Sequence, residues 1–201
     1  MMNFIRKLNL NVLKNAEVCI ARHGYFIALT MQSKSVLLRE RGENKRLSLN
    51  HYQVFNDSIL LRNGLFIGRL SGKVFTKFND EKLLNQYASE LLRNQIILAK
   101  QFFAQIIEYL KIRISEGKTL TSHGVIKITV SELTEALCDM DLLYDMYKEV
   151  GGSEISSELV IRLQNFGQKL AFLFGGKSFL QESCIETFWL FSLINKIYLT
   201  N

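Results

Sequence analysis

The chain has 201 residues, of which 48% are hydrophobic, and its formal net charge is +6. This size predicts one compact core with a smaller appendage. The most apolar stretch, 185–199, is interrupted by Glu186 and Lys196 and is shorter than the roughly 20 residues that cross a bilayer, so no membrane span is expected. Arg6 and Lys7 are not followed by a signal-peptide pattern, which favours a cytoplasmic location.

The positive charge does not predict a nucleic-acid site. Basic residues are spread along the chain, and the densest group, within 39–46, is interleaved with Glu40 and Glu43. That arrangement is typical of a solvated hairpin. An anionic partner such as a nucleotide diphosphate accounts for the excess equally well.

The three cysteines predict no covalent or metal framework. Cys19, Cys138 and Cys184 are widely spaced and form no Cys-x-x-Cys pair. Neither a disulfide scaffold nor a zinc site follows from such spacing, so no metal is expected. We predict that all three are buried thiols.

Residues 1–79 have the pattern of a small antiparallel β-unit. Short runs rich in Val, Ile, Phe and Tyr alternate with turn residues. Asn63-Gly64 is a hairpin signal between two of these runs. The predicted strands are 17–22, 25–31, 36–40, 52–55, 59–61 and 65–70.

Residues 80–201 have a helical period and predict an antiparallel four-helix bundle, which makes the fold class α+β. The first helix is expected to end near Glu116-Gly117, with the glycine as a left-handed cap. The third is expected to begin after Ser153 as its cap and to stop at Gly175-Gly176. The fourth, 183–198, is apolar on nearly every side and must be enclosed. The predicted buried stripes are Leu84, Tyr87, Leu91, Leu98, Phe102, Ile106 and Tyr109, then Ile126, Val130, Leu133, Leu137, Met140, Tyr144 and Tyr147, then Leu159, Leu163, Phe166, Leu170 and Leu173.

Several motifs, taken in order, resemble those of acyl-CoA dehydrogenases. Tyr109, Arg113, Gly117-Lys118 and Leu120 are similar to the family's Tyr-x-x-x-Arg-x-x-x-Gly-Lys-x-Leu between the first two helices of its carboxyl-terminal domain. The run from 175 to 200 resembles the family's carboxyl end. This resemblance implies part of the middle β-domain followed by the four-helix domain. It also implies a truncated member, because the family's amino-terminal helical domain has no counterpart here.

The resemblance implies a reaction that needs a base. In the family a carboxylate removes the α-proton of an acyl thioester while the β-hydride leaves for FAD. Leu199 stands where that Glu is expected. In another branch of the family the base lies on the first bundle helix, at a position that is close to Tyr87 here. Glu90 lies on nearly the same helical face as Tyr87 and is the candidate relocated base, or else a solvated carboxylate paired with Arg93 or Asn94.

The resemblance also implies flavin contacts at Arg113, Gly175 and Gly176. Arg113 is expected either to grip phosphate oxygens across a subunit boundary or to cap its own helix. Other family positions have changed, which puts FAD and substrate binding in doubt. Where the resemblance implies a substrate-holding arginine, a glutamine, an aromatic residue and an Arg-Asp pair, this chain has Ala88, Phe172, Glu116 and Leu190-Phe191.

Three functions remain open. The first is a diverged, catalytically impaired protein that acts as a partner subunit, in a homo-oligomer or with a related chain, or as an acyl-thioester binder. The second is an active FAD-dependent oxidoreductase that acts on the CH–CH group of a thioester carried by coenzyme A or a carrier protein, with Glu90 as base. The third is a non-enzymatic helical interaction protein. The loss of the base together with the polar contacts favours the first.

Overall fold

The computed structural model describes residues 17–18, 20–21, 23–29, 35–40, 43–48, 52–55, 57–70, 81–175 and 184–199. They form a mostly helical α+β fold, as predicted. The chain divides into two compact units, Met1–Leu91 with Leu193–Asn201 and Leu92–Ser192. The elements are β1 (Glu17–Val18), β2 (Tyr25–Leu29), β3 (Ser35–Glu40), β4 (Glu43–Ser48), β5 (Tyr52–Phe55), α1 (Ser58–Arg62), β6 (Leu65–Leu70), α2 (Glu81–Ile112), β7 (Ile114–Ser115), β8 (Lys118–Thr119), a 3-10 turn (Leu120–Ser122), α3 (Gly124–Val150), α4 (Ser153–Phe174) and α5 (Cys184–Tyr198).

The first unit contains two three-stranded sheets, with strand orders β1-β3-β4 and β2-β6-β5. The pairings of β2 with β6 and of β5 with β6 are antiparallel, as predicted. The pairing of β3 with β4 is antiparallel as well, but strand β4 is not among the predicted strands. In β3 and β4 the register sets Glu40 opposite Glu43. The pairing of β1 with β3 is parallel, which the sequence did not predict.

The prediction of a strand at 59–61 is wrong, because this segment lies within helix α1. The Asp57 side chain accepts hydrogen bonds from the amides of Ile59, at 2.8 Å, and Leu60, at 3.2 Å, and so caps the first helical turn. Asn63-Gly64 is therefore not a hairpin. Gly64, with a φ of 73°, ends this helix, and its N–H donates to the Leu61 carbonyl.

Aromatic rings fill the core of the β2-β6-β5 sheet. Phe26 packs edge-on against Tyr52, with ring centroids 5.4 Å apart, and against Phe66 at 6.1 Å. Gly68 allows this packing, because a Cβ added there would lie 2.1 Å from Cζ of Phe26. A side chain at this strand position is thus excluded by sterics.

Helix α2 ends at Ile112, so the predicted end near Glu116 is wrong. Residues 114–119 instead form the small β7-β8 hairpin, in which Ser115 pairs with Lys118. Its two turn residues, Glu116 and Gly117, have φ values of 53° and 74°. Positive φ at both central positions is what a type I′ turn requires. Gly117 does take a left-handed conformation, but in a hairpin and not at a helix end.

The predicted buried stripes of the bundle are largely confirmed. The α4 stripe is buried throughout, whereas the ends of the α3 stripe, Ile126 and Tyr147 among them, are half-buried. Ser153 is the first residue of α4 and Gly152 is its cap, so the predicted serine cap is wrong. None of the helices in the part of the chain that the structure describes combines the length and apolarity needed to cross a membrane.

Ion pairs show how α3 runs against α4. Lys169 pairs with Glu132 at 2.6 Å, and Arg162 pairs with Asp139 at 2.5 Å. From Glu132 to Asp139 the chain advances about two turns along α3 while the partners step back about two turns along α4, so the helices are antiparallel. Both pairs are partly exposed and contribute only about 0.2–1 kcal/mol each. They report the register rather than supply the stability.

Helix α2 is antiparallel to α3 by the same reasoning. Lys100 pairs with Asp141 at 2.6 Å. Two turns away on each helix, Arg93 lies near Lys148. The hydrogen bond that Lys148 donates to Asp145 raises the pKa of Lys148, and the Arg93 guanidinium opposes that shift.

Phe188 joins three helices of the bundle. Its ring centroid lies 6.3 Å from that of Phe102 on α2, 6.2 Å from that of Phe166 on α4 and 5.2 Å from that of Phe191 on α5. Gly167 on α4 leaves the space for it, because a Cβ added there would lie 2.4 Å from Cγ of Phe188. The contact between α4 and α5 therefore depends on the missing side chain at residue 167.

The two cysteines that the structure describes differ in solvent exposure. Cys184 is buried, as predicted, and this burial raises the pKa of its thiol to about 11. Cys138 is exposed, so the prediction of a buried thiol is wrong at that position. The exposure follows from its place on the outer side of α3. Cys19 lies outside the described residues.

We expect Gly167→Ala to lower the free energy of unfolding by about 1–3 kcal/mol, because the added methyl overlaps the Phe188 ring. Urea denaturation measures the change. Gly124→Ala is the matched control, since within the described residues nothing lies within 4 Å of a Cβ added there. An equal loss in both variants would contradict the steric explanation.

We expect Cys138 to react with a thiol-alkylating reagent well before Cys184 at pH 8. The thiolate is the reactive form, and a pKa of about 11 leaves roughly one Cys184 thiol in a thousand ionised at that pH. Labelling of Cys184 should rise about tenfold per pH unit until the pH approaches this pKa. Peptide mass spectrometry after timed quenching resolves the two sites, and faster labelling of Cys184 would refute this assignment.

Candidate functional site

The positions at which the resemblance expects a base lie together in the first unit. Tyr87 on α2 is buried, and its ring packs edge-on against the ring of Tyr198 on α5, with centroids 4.8 Å apart. Leu199 follows directly and is also buried, and its N–H donates to the Asn195 carbonyl at 2.8 Å. Both expected base positions are therefore filled by packed aromatic or aliphatic groups.

A long-range hydrogen bond holds Tyr198 against strand β2. The N–H of Ile27 in strand β2 donates to the hydroxyl of Tyr198 at 2.9 Å, and the bond is buried. In its sheet β2 is an edge strand, paired with β6 among the described strands. The Tyr198 hydroxyl thus supplies an acceptor that a neighbouring strand would otherwise provide.

Sequence reasoning matched Tyr198 to a motif but missed this contact. The partners are 171 residues apart, and no periodic pattern links them. The signal that could have suggested it is chemical: a tyrosine on a helix that is apolar on nearly every side needs a partner for its hydroxyl. Which strand amide provides it cannot be read from the sequence.

Glu90, the candidate relocated base, is half-buried on α2. In the described part of the chain, neither Arg93 nor Asn94 forms a hydrogen bond or ion pair with its carboxylate. A carboxylate in this state can accept a proton, which is the minimum requirement for a base. Ala88, where the resemblance expects a substrate arginine, is buried and contributes no charge.

Arg113 lies just after the end of α2, in the second unit. Its side chain is exposed, and the guanidinium carbon lies 5.5 Å from the centre of the Tyr109 ring. Its backbone carbonyl accepts a hydrogen bond from the Leu120 amide at 2.8 Å, which ties the hairpin to the helix end. The guanidinium is therefore held over an aromatic face.

Gly175 lies at the same end of the bundle as Arg113. The Tyr109 ring, under the Arg113 guanidinium, is 6.2 Å from the ring of Phe174, the residue before Gly175. Gly175 has a φ of 55°, and its N–H donates to the carbonyls of Ala171 and Phe172, so it terminates α4. Gly176 lies outside the described residues.

The positions around this end carry little to hold a dinucleotide. Phe172, where the resemblance expects a glutamine, is 69% exposed, and Glu116 adds negative charge at the hairpin turn. Leu190 and Phe191 are buried in place of the expected polar pair. Among the described residues, no group of three or more His, Cys, Asp and Glu side chains is placed to hold a metal ion.

His123 belongs to the hairpin end as well. Its Nε2 atom lies 3.3 Å from the Ser115 carbonyl oxygen, and its own carbonyl accepts the Lys127 amide at the start of α3. The ring is thus a hydrogen-bonded part of the turn. Its structural contacts account for its position.

The fold is that of acyl-CoA dehydrogenases. The glutaryl-CoA dehydrogenase of Mycobacterium smegmatis, solved in complex with FADH2, matches with a TM-score of 0.63 and 13% identity, over 92% of this chain and 57% of that one. An acyl-CoA dehydrogenase of Geobacillus kaustophilus matches with a TM-score of 0.60 and 11% identity, over 92% and 60%. The butyryl-CoA dehydrogenase of Megasphaera elsdenii matches with a TM-score of 0.57 and 12% identity, also over 92% and 60%.

These likenesses confirm the predicted resemblance at the level of the fold. The chain spans 57–60% of the length of the three dehydrogenases. No protein-family model and no curated protein matches the sequence. The fold class is therefore established by structure, and the activity has to be argued from the residues of this chain.

We expect Tyr198→Phe to lower the free energy of unfolding by about 1–3 kcal/mol, because it leaves the buried Ile27 amide without its acceptor. Chemical denaturation measures the loss, and hydrogen exchange at the Ile27 amide should accelerate. Tyr25→Phe is the matched control, since Tyr25 lies in the same strand and its contacts with Phe55 and Arg69 involve the ring. A Tyr198→Phe protein as stable as the Tyr25→Phe protein would show that the bond is dispensable.

Proposed function

We propose that the chain is a non-catalytic acyl-CoA dehydrogenase-like protein that acts as a subunit partner. The observation that carries this proposal is the packing at the two expected base positions. Leu199 is 8% exposed and Tyr87 is 3% exposed, with the Tyr87 ring against Tyr198. The family's fold is present, and the group that would remove the α-proton is replaced by a hydrocarbon and a packed phenol.

Chemistry argues against a simple change of substrate. Abstraction of a proton from a carbon acid needs an acceptor within hydrogen-bond reach. A leucine side chain has no lone pair. Tyrosine has a reference pKa of about 10 and is a weak base in its neutral form at pH 7. Any acyl thioester that bound beside these residues would therefore be held without being oxidised.

The described residues do not fit a complete flavin site. Arg113 can offer a bidentate grip on phosphate, but it is held over Tyr109, and Glu116 lies in the adjoining turn. The Phe172 side chain has no hydrogen-bonding group for a dinucleotide. Arg113 and Gly175 remain the candidate contacts, and we expect FAD binding to be weak or lost.

A stripe on α3 supports the role of subunit partner. Leu142, Met146 and Val150 follow one another at a spacing of four residues and are 66%, 52% and 79% exposed. Side chains at this spacing share one face of a helix. Exposed apolar faces of this kind are typical of surfaces that a second protein covers.

One alternative has an observation in its favour. Glu90 is half-buried, and its carboxylate has no hydrogen-bond partner among the described residues, so it could act as a relocated base in an active flavoenzyme. In that case the chain would oxidise the CH–CH group of an acyl thioester. The two candidate functions predict different flavin absorbance, different acyl-CoA turnover and a different oligomeric mass.

We expect the purified chain to lack the flavin absorbance near ~450 nm and to give no acyl-CoA-dependent reduction of an added electron acceptor, with or without added FAD. Light scattering should give a mass above the 23.2 kDa of one chain, alone or with a related dehydrogenase subunit. The double variant Leu142→Ser with Met146→Ser should lower that mass, because it makes the stripe polar. Ile97→Ser, on α2, is the control for an exposed apolar side chain elsewhere.

Acyl-CoA turnover by the isolated chain would overturn the non-catalytic assignment. If Glu90 is the base, Glu90→Gln should then slow turnover by roughly 10²–10⁴-fold, while Glu135→Gln on the exposed side of α3 leaves it unchanged. A colourless monomer that binds no related subunit would overturn the partner role as well.

A further inference from the structure

Five large apolar side chains are exposed at the end of the bundle where α2 ends, α3 begins and α4 ends. We call them the hairpin-end patch. Side chains of this kind are normally buried, and a group of them at the surface marks a place that another molecule covers. They are Ile112 at 78%, Ile114 at 71%, Val125 at 68%, Ile128 at 64% and Phe172 at 69% exposed.

The helix registers place these residues at one level of the bundle. The ion pair between α2 and α3 sets Ile112 level with Thr129, because both lie the same number of residues from the paired side chains. The Lys169–Glu132 pair sets Phe172 level with Thr129 in the same way. Ile128 is the neighbour of Thr129. The hairpin that carries Ile114 is tied to this end through a contact between Ser115 and the ring of His123.

The patch surrounds the candidate flavin contacts, and its chemistry does not suit a dinucleotide. The Arg113 guanidinium is already held over the Tyr109 ring, and the carboxylate of Glu116 has the same sign as a phosphate. Polar atoms of a cofactor that lay against the five apolar side chains would lose water without gaining hydrogen bonds. An apolar partner avoids that cost.

The size of the patch is sufficient for a contact with another protein. The exposed fractions of the five side chains correspond to about 700 Å² on one chain, close to the ~800 Å² that each partner gives to a standard stable interface. Two such patches buried against each other therefore reach the size class of stable complexes. A single exposed isoleucine would not.

The charges at this end suit a contact between two copies of the chain. The tip of the hairpin is polar, and Glu116 lies between Arg113 and Lys118 in the sequence, so both signs are present. In a two-fold contact the same surface meets itself, and the acidic tip of one copy can face basic residues of the other. The charged groups then belong to the rim of the contact and the apolar groups to its centre, as in stable interfaces.

We propose that the hairpin-end patch is a contact between two copies of this chain, in which apolar packing takes the place of a bound dinucleotide. It depends on the proposed role as a subunit partner, and the partner is a second copy of the chain. The stripe from Leu142 to Val150 is at the other end of α3, so each chain has two separate contact surfaces. Assembly through the hairpin end needs no flavin.

Light scattering over a range of concentrations tests this proposal with the full chain. We expect a mass above the 23.2 kDa of one chain in the absence of flavin. Added FAD should leave the dissociation constant unchanged, because no dinucleotide takes part in the contact. Raising the salt from about 50 mM to about 500 mM should not weaken it, because salt screens charges and not apolar packing. Assembly that requires FAD would overturn the proposal.

Variants identify the surface. Ile114→Ser with Ile128→Ser should weaken self-association more than about tenfold, because two apolar side chains are removed from the contact. Combined with Leu142→Ser and Met146→Ser, which alter the stripe, it should give the mass of one chain. Circular dichroism checks that each variant is folded, and Ile112→Ser alone serves if the isoleucine double variant is not.

Matched controls carry the same change at other exposed isoleucines. Ile161→Ser on α4 and Ile97→Ser on α2 should leave the mass and the dissociation constant unchanged. An equal loss in these controls would overturn the assignment to the hairpin end.

The outcomes distinguish this contact from the proposed function. A mass that falls with the stripe variant but not with the hairpin-end variant would overturn the hairpin-end contact and leave the partner role intact. A chain that assembles only with a related dehydrogenase subunit would do the same. A monomer that binds no subunit at all would overturn both.

Discussion

The hydrogen bond from the Ile27 amide to the Tyr198 hydroxyl is the constraint on which the candidate site depends. A buried amide without an acceptor costs about 1–3 kcal/mol, so the edge strand and the end of the last helix are held together. The bond fixes Tyr198, whose ring then packs against Tyr87. Leu199 is the next residue, so its buried position follows from the same contact.

The proposed function separates a scaffold from the chemistry of its family. Helix pairing depends on buried stripes, on Gly167 beneath Phe188 and on the register of α3 against α4, and none of these needs a catalytic group. Leu199, at a position where the resemblance expects a base, is buried and contributes to packing. The fold therefore supports a subunit contact or a bound acyl group equally well, since function is a property of sites and not of folds.

The sequence predicted the elements whose pattern is long and periodic. The α4 stripe from Leu159 to Leu173 is buried as expected, because several helical turns repeat the same spacing. Short patterns gave wrong predictions. The three apolar residues at 59–61 predict a strand, but in the structure the Asp57 side chain caps a helix that contains them. The grouping of Arg113 with Gly175 at one bundle end follows from helix order. The hydrogen bond between Ile27 and Tyr198 could not be predicted, because a single contact between residues far apart in the chain produces no periodic sequence pattern.

The division of the chain has a consequence for its synthesis on the ribosome. The first compact unit joins Met1–Leu91 to Leu193–Asn201, and all of the second unit lies between these segments in the chain. Helices α3 and α4 can thus pair while translation continues, but β2 must wait for Tyr198 to emerge. Until then the outer edge of β2 is open to strands of other nascent chains. Misassembly during biogenesis should therefore begin at this edge.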